Sequence, residues 1–111
     1  MRPLSVGVSP TATVNTTIYT TPTGYYSLIK LLYIHNTGGS TKSITVQWYD
    51  SSANTTLDIL TAYSFTTKEY IQFNGNAYIV LEEGDQIKVT TESGSTFSVI
   101  ATFEEIGLTR Q

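Results

Sequence analysis

The chain has 111 residues, of which 40% are hydrophobic and only 14% are charged, and its formal net charge is −3. A chain of this length can bury one hydrophobic core, so we expect one domain. Its six Lys and Arg residues are scattered, which argues against a nucleic-acid surface. The sequence has no cysteine, no apolar run long enough to span a membrane and no pattern typical of a signal peptide. We therefore expect neither disulfides nor membrane insertion.

Threonine and serine take the place of charged residues, with 20 Thr and 11 Ser in the chain. The branched Cβ of Thr favours extended backbone, so this composition is typical of a β protein. The alternation of apolar and polar residues, interrupted by turn residues, predicts eight strands at 12–21, 25–36, 42–50, 55–62, 64–74, 77–81, 86–91 and 96–104. Because no segment has a helical period, we predict an all-β fold, a single antiparallel sandwich of the jelly-roll type.

The first residues differ from the rest. Residues 1–11 contain Pro3, Gly7 and Pro10 with widely spaced apolar side chains. This pattern excludes a helix and only weakly indicates a strand. We predict an extended N-terminal arm held by a neighbouring subunit, followed by the sandwich at 12–105 and a short C-terminal tail at 106–111.

Two neighbouring strands have different patterns. Residues 42–50 alternate cleanly, with Ile44, Val46 and Trp48 on the inner face, whereas residues 25–36 are apolar on both faces. We place Ile29, Leu31 and Tyr33 together on one of those faces. A strand buried on both faces needs a cover on each, so we expect the second face to be covered by the arm or by a neighbouring subunit.

The sequence offers little for catalysis. His35 is the only histidine and has no cysteine to join it as a metal ligand, and no Gly-x-Ser-x-Gly turn is present. The acidic run Glu82, Glu83 and Asp85 has the residue types that calcium prefers, but a solvated turn around Gly84 explains it equally well. We predict no enzyme, no catalytic or metal-binding residue and no cofactor.

Partner contacts are the better prediction. Tyr19 and Tyr49 fall on faces that look polar, and exposed tyrosine is typical of protein interfaces. The candidate partner-binding residues come from the arm and from these two tyrosines: Arg2, Leu4, Val6, Val8, Tyr19 and Tyr49. The tyrosines and Trp48 could instead form a platform for sugar.

Three segments carry a family resemblance: Ile18 to Gly24 (IYTTPTG), Leu28 to Thr37 (LIKLLYIHNT) and Leu81 to Val89 (LEEGDQIKV). Together they resemble small accessory virion structural proteins of tailed bacteriophages, over about Ile18 to Phe103. The resemblance implies a β-sandwich or jelly-roll module on a capsid, neck, tail or fibre, located in the virion. It implies no catalytic residues.

The leading hypothesis is a capsid decoration or cement protein, a homo-oligomer with a trimer favoured, whose partners are phage capsid or tail proteins. One alternative is a tail, neck or fibre component of the virion, present in fewer copies. A second alternative, from another class, is a glycan-binding module for host attachment, which requires exposed Tyr or Trp beside carboxylates.

Overall fold

The computed structural model describes residues 2–74 and 79–108. They form nine strands: β1 (Arg2–Val8), β2 (Thr16–Thr20), β3 (Tyr25–Asn36), β4 (Lys42–Asp50), β5 (Thr55–Phe65), β6 (Tyr70–Asn74), β7 (Val80–Leu81), β8 (Gln86–Thr91) and β9 (Phe97–Gly107). Within these residues there is no helix that is long and apolar enough to cross a membrane. The start of the strand predicted at 77–81, and residues 109–111 of the predicted tail, lie outside the described residues.

The strands form two antiparallel sheets that pack as a sandwich, which confirms the predicted fold class. The five-stranded sheet has the order β1-β9-β3-β6, with β7 also paired to β3, and the four-stranded sheet has the order β2-β8-β4-β5. Most consecutive strands cross from one sheet to the other. These orders are those of a jelly roll.

The core lies between the sheets and is built mainly from aliphatic and phenylalanine side chains. Phe65 and Phe97 meet edge to face with 5.5 Å between ring centroids, and Tyr19 stacks on Phe103 at 3.9 Å. In β4, Ile44 and Val46 are buried as the alternation predicts. The remaining buried apolar residues are Ile18, Ile29, Leu32, Ile34, Leu81, Ile87, Val89, Val99 and Ala101.

The predicted N-terminal arm is instead the edge strand β1 of the domain's own five-stranded sheet. Each residue from Arg2 to Val8 is paired with a residue of β9, from Arg2 opposite Glu105 to Val8 opposite Val99. Leu4 and Val6 are half-buried against the core, as is Val8. This pairing joins residues about a hundred positions apart, so no local pattern could reveal it.

Two β-bulges correct the predicted faces of β2 and β3. In β2 the register shifts between Thr17 and Tyr19, so both Ile18 and Tyr19 face the core. The placement of Tyr19 on a polar face was therefore wrong. In β3 the register shifts between Ile29 and Leu31. A bulge adds one residue and reverses the face of everything after it, so Ile29 is buried while Leu31 lies on the opposite face.

Candidate docking surface

The outer face of the five-stranded sheet carries an apolar patch. Residues of β3 and β9 lie opposite each other across it, Tyr33 beside Ile100 and Tyr26 beside Ile106. Ile100 is 40% exposed, and Tyr70 of β6, whose ring centroid is 5.6 Å from that of Tyr33, is 60% exposed. We call this patch the outer apolar face and define it by Leu28, Leu31, Tyr33, Tyr70, Ile100 and Ile106.

The outer apolar face is close to neutral. Its fixed charges on β3 and β9 are those of Lys30 and Glu104, which form an ion pair with 3.7 Å between Nζ and Oε1. Its residues lie on three strands about 4.8 Å apart and span roughly eight residues that rise about 3.3 Å each, which gives it an area on the order of 400 Å². One side of a standard protein interface covers about 800 Å², so the face is large enough for a modest contact.

The outer face of the four-stranded sheet is polar. Gln47 donates to Asp58 at 2.9 Å, and Asn15 donates to Gln47 at 3.4 Å. Tyr49, predicted as a partner-binding residue, lies on this face with the Lys88 amine 5.2 Å from its ring centroid and its hydroxyl donating to Asn54. The polar side chains of this face form hydrogen bonds with one another, so the face can remain in water without a partner.

Tyr19, also predicted to bind a partner, belongs to a buried polar cluster. Its hydroxyl donates to Glu105 Oε2 at 2.6 Å and lies 2.5 Å from Ser27 Oγ. Because that proton is given to Glu105, Ser27 is the donor of the second bond. Arg2 Nε donates to Glu105 Oε1 at 2.5 Å, and the Arg2 guanidinium lies 4.3 Å from the Tyr25 ring centroid. The cluster therefore joins β1, β2, β3 and β9 at one end of the sandwich.

The cluster shifts the pKa values of its members. Burial, reinforced by the hydrogen bond to Glu105, raises the pKa of Tyr19 to about 12. Burial by itself would raise the pKa of Glu105, but hydrogen bonds from Tyr19 and Arg2 outweigh it, so that pKa lies below its ordinary value. The hydrogen bond to Glu105 likewise raises the pKa of Arg2. The folded state thus holds a neutral tyrosine and a charged carboxylate.

A cleft of about 420 Å³ opens beside this cluster. It lies where β3 begins, between the turn that follows β7 and the end of β9. Two tyrosines and two glutamates line it together with apolar side chains: Tyr25, Tyr26, Val80, Glu82, Glu83 and Leu108.

The acidic turn considered for calcium is organised by hydrogen bonds. Carboxylate oxygens of Asp50, Glu82 and Asp85 lie within 4.8 Å of one another. The buried Asp85 accepts from the Ser51 backbone N–H at 3.0 Å, from Ser51 Oγ at 3.1 Å and from the Glu82 N–H at 2.9 Å. Asp85 thus fixes the turn, and we assign no metal to it.

Sequence reasoning missed the part of the outer apolar face that β9 supplies. Ile100 and Ile106 stand on the outer side of β9, while Phe97, Val99 and Phe103 face the core. The signal was present in Ile100, an aliphatic residue at an outward position of a strand whose inner residues Phe97, Val99, Ala101 and Phe103 are apolar. His35, the only histidine, is half-buried in β3 with its ring centroid 6.3 Å from that of Tyr33.

No protein-family model matches the chain. No curated protein matches it either. Among solved structures, one described as "Bacillus endospore appendages form a novel family of disulfide-linked pili" aligns with a TM-score of 0.58 and 13% identity, covering 97% of this chain and 87% of that chain. Another, described as "Structure of Eiger TNF from S. frugiperda", aligns with a TM-score of 0.43 and 15% identity over 96% of this chain and 88% of that chain. The first similarity shows a shared fold.

Proposed function

We propose that the chain is a structural subunit of a virion, most concretely a capsid decoration or cement protein of a tailed bacteriophage. The observation that carries the proposal is the outer apolar face, which the domain's own N-terminal strand does not cover because β1 lies beside β9 in the same sheet. The outer face of the other sheet is polar, so the exposed apolar face is the side suited to docking. Its partner is a subunit of the shell or a neighbouring copy.

The size of the face fits this role. A contact on the order of 400 Å² per side is weak for a lone pair of proteins. Repeated over a shell, and made only with the assembled state, each contact stabilises that state by mass action. The Bacillus pilus subunits share the fold and are disulfide-linked. This chain contains no cysteine, so the proposed assembly rests on packing.

Quantitative mass spectrometry of particles purified from the virus that encodes the chain tests the proposal. A decoration protein is present in hundreds of copies, on the scale of the major capsid protein. A few tens of copies or fewer would favour the tail, neck or fibre alternative. Absence of the chain from the particles would end the virion proposal altogether.

A further inference from the structure

Hydrogen bonds hold the residues around the cleft at the start of β3 in place. The Leu108 N–H donates to the Gly24 carbonyl at 2.8 Å, which ties the end of the described chain to the turn before β3. The Gly24 N–H in turn donates to Glu83 Oε2 at 2.6 Å. This bond fixes the Glu83 side chain and leaves its other carboxylate oxygen free. Because the side chain is already ordered, a ligand that binds there loses less conformational entropy.

Hydrogen bonds also hold the acidic turn that forms one side of the cleft. The Gly84 N–H donates to the Thr21 carbonyl at 3.1 Å, and the Thr21 N–H donates to the Asp85 carbonyl at 3.0 Å. With the bonds from Ser51 to Asp85, these contacts fix the turn that carries Glu82 and Glu83. The Glu82 side chain is exposed and projects from a rigid backbone.

The charges around the cleft restrict what can bind there. Glu82 and Glu83 repel an anion. The Arg2 guanidinium lies over the Tyr25 ring, 4.3 Å from its centroid, and is held there by the buried Glu105. One face of the Tyr25 ring is therefore already occupied by a cation, so a second cation cannot stack on that face. A neutral ligand that offers hydroxyl donors to the carboxylates and C–H surface to the rings fits both constraints.

From this arrangement we infer that the cleft binds a neutral saccharide, one or two sugar units long. Ligand pockets begin at about 300 Å³, so the cleft is of a suitable size. Tyr26 and Tyr25 pack against the sugar ring, and Glu82 and the free oxygen of Glu83 accept hydrogen bonds from its hydroxyls. The inference does not depend on the docking of the outer apolar face.

A saccharide titration followed by ¹H–¹⁵N NMR of the whole chain tests the inference. The probes are maltose, lactose and N,N′-diacetylchitobiose, with sialic acid as the anion and tetramethylammonium as the cation, each added up to roughly 50 mM, well above the millimolar range of weak binders. We expect at least one neutral sugar to shift the amide signals of Gly24, Tyr26 and Glu83. Tyr26→Ala is expected to weaken binding by about tenfold or more, and Glu82→Gln by several-fold.

Tyr49→Ala is the matched control, because it removes a tyrosine from the opposite face and should leave binding unchanged. Glu82→Gln alters an exposed side chain, so its amide spectrum should match the wild-type fold even if Tyr26→Ala unfolds the domain. If no neutral sugar shifts these signals, or if only the cation or the anion does, the inference is wrong. Equal weakening by Tyr49→Ala would also overturn it.

Discussion

Replacing Tyr19 with Phe tests how much the buried polar cluster of Tyr19, Ser27 and Glu105 stabilises the fold. The substitution removes only the hydroxyl, which donates to Glu105 at 2.6 Å, and keeps the ring that stacks 3.9 Å from Phe103. Ser27 Oγ and Glu105 Oε2 each lose a partner in a buried site. A hydrogen bond to a charged group contributes about 1.5–3 kcal/mol, so we expect the free energy of unfolding to fall by about 2 kcal/mol.

Urea unfolding followed by tryptophan fluorescence at pH 7 measures this loss. Tyr49→Phe is the control, because it removes a hydroxyl that donates to Asn54 at an exposed site, and its effect should stay within about 0.5 kcal/mol. If Tyr19→Phe were as mild as the control, Tyr19 would be the surface residue that the alternation suggested. The account of the buried cluster would then be wrong.

The same cluster sets a pH window. The pKa of Tyr19 rises from 10.0 to about 12 on folding, so its stabilising effect is complete below pH 10 and is lost as the pH rises from there to about 12. The pKa of Glu105 is lowered from 4.5, so its effect is present above pH 4.5 and is lost as the pH falls through the folded value. Urea unfolding across this range should show both declines, and Tyr19→Phe should flatten the alkaline one. An alkaline decline of the same size in that variant would contradict the assignment.

Two further substitutions and one deletion probe the docking face, the acidic turn and the edge strand. Ile100→Lys should abolish incorporation into particles with little loss of stability. Thr90→Lys, on the polar face, should leave both incorporation and stability unchanged. Equal incorporation of the two variants would argue against docking through the outer apolar face. Deleting β1 should lower the free energy of unfolding by about 3 kcal/mol or more, since three half-buried apolar side chains leave the core. A stable truncated domain would mean that β1 is dispensable. Gly84 has φ +82° and a Cβ there would lie 2.9 Å from Ser51 Oγ, so Gly84→Ala should cost about 1–3 kcal/mol by urea unfolding. A neutral result would mean that the turn yields without strain.

The sequence predicts most of the strands. The bounds of β3, β4 and β8 agree with the predicted ranges, because turn residues mark their ends and apolar residues mark their faces. The two bulges were missed because one extra residue in a strand does not change the residue types that identify the strand. Ile18 beside Tyr19 and Lys30 within an apolar run were the local signs of a break in the alternation.

The candidate site was only partly predictable. The sequence shows that β3 is apolar on both sides. The side that faces away from the core forms part of the outer apolar face. Its contributions from Ile100 and Tyr70 depend on strand pairing between distant segments, which one sequence does not specify. The pairing of the N-terminal residues with β9 was missed for the same reason. Arg2 reaches Glu105 across a separation of 103 positions.

Hydroxyl-radical footprinting of the free chain and of the chain on assembled particles tests the central claim most directly. Tyr33, Tyr70 and Ile100 lie on the outer apolar face, and Tyr49 lies on the opposite face as an internal reference. We predict that oxidation of the first three falls strongly on assembly while that of Tyr49 is unchanged. Protection of Tyr49 alone, or no protection of the outer apolar face, would contradict the account.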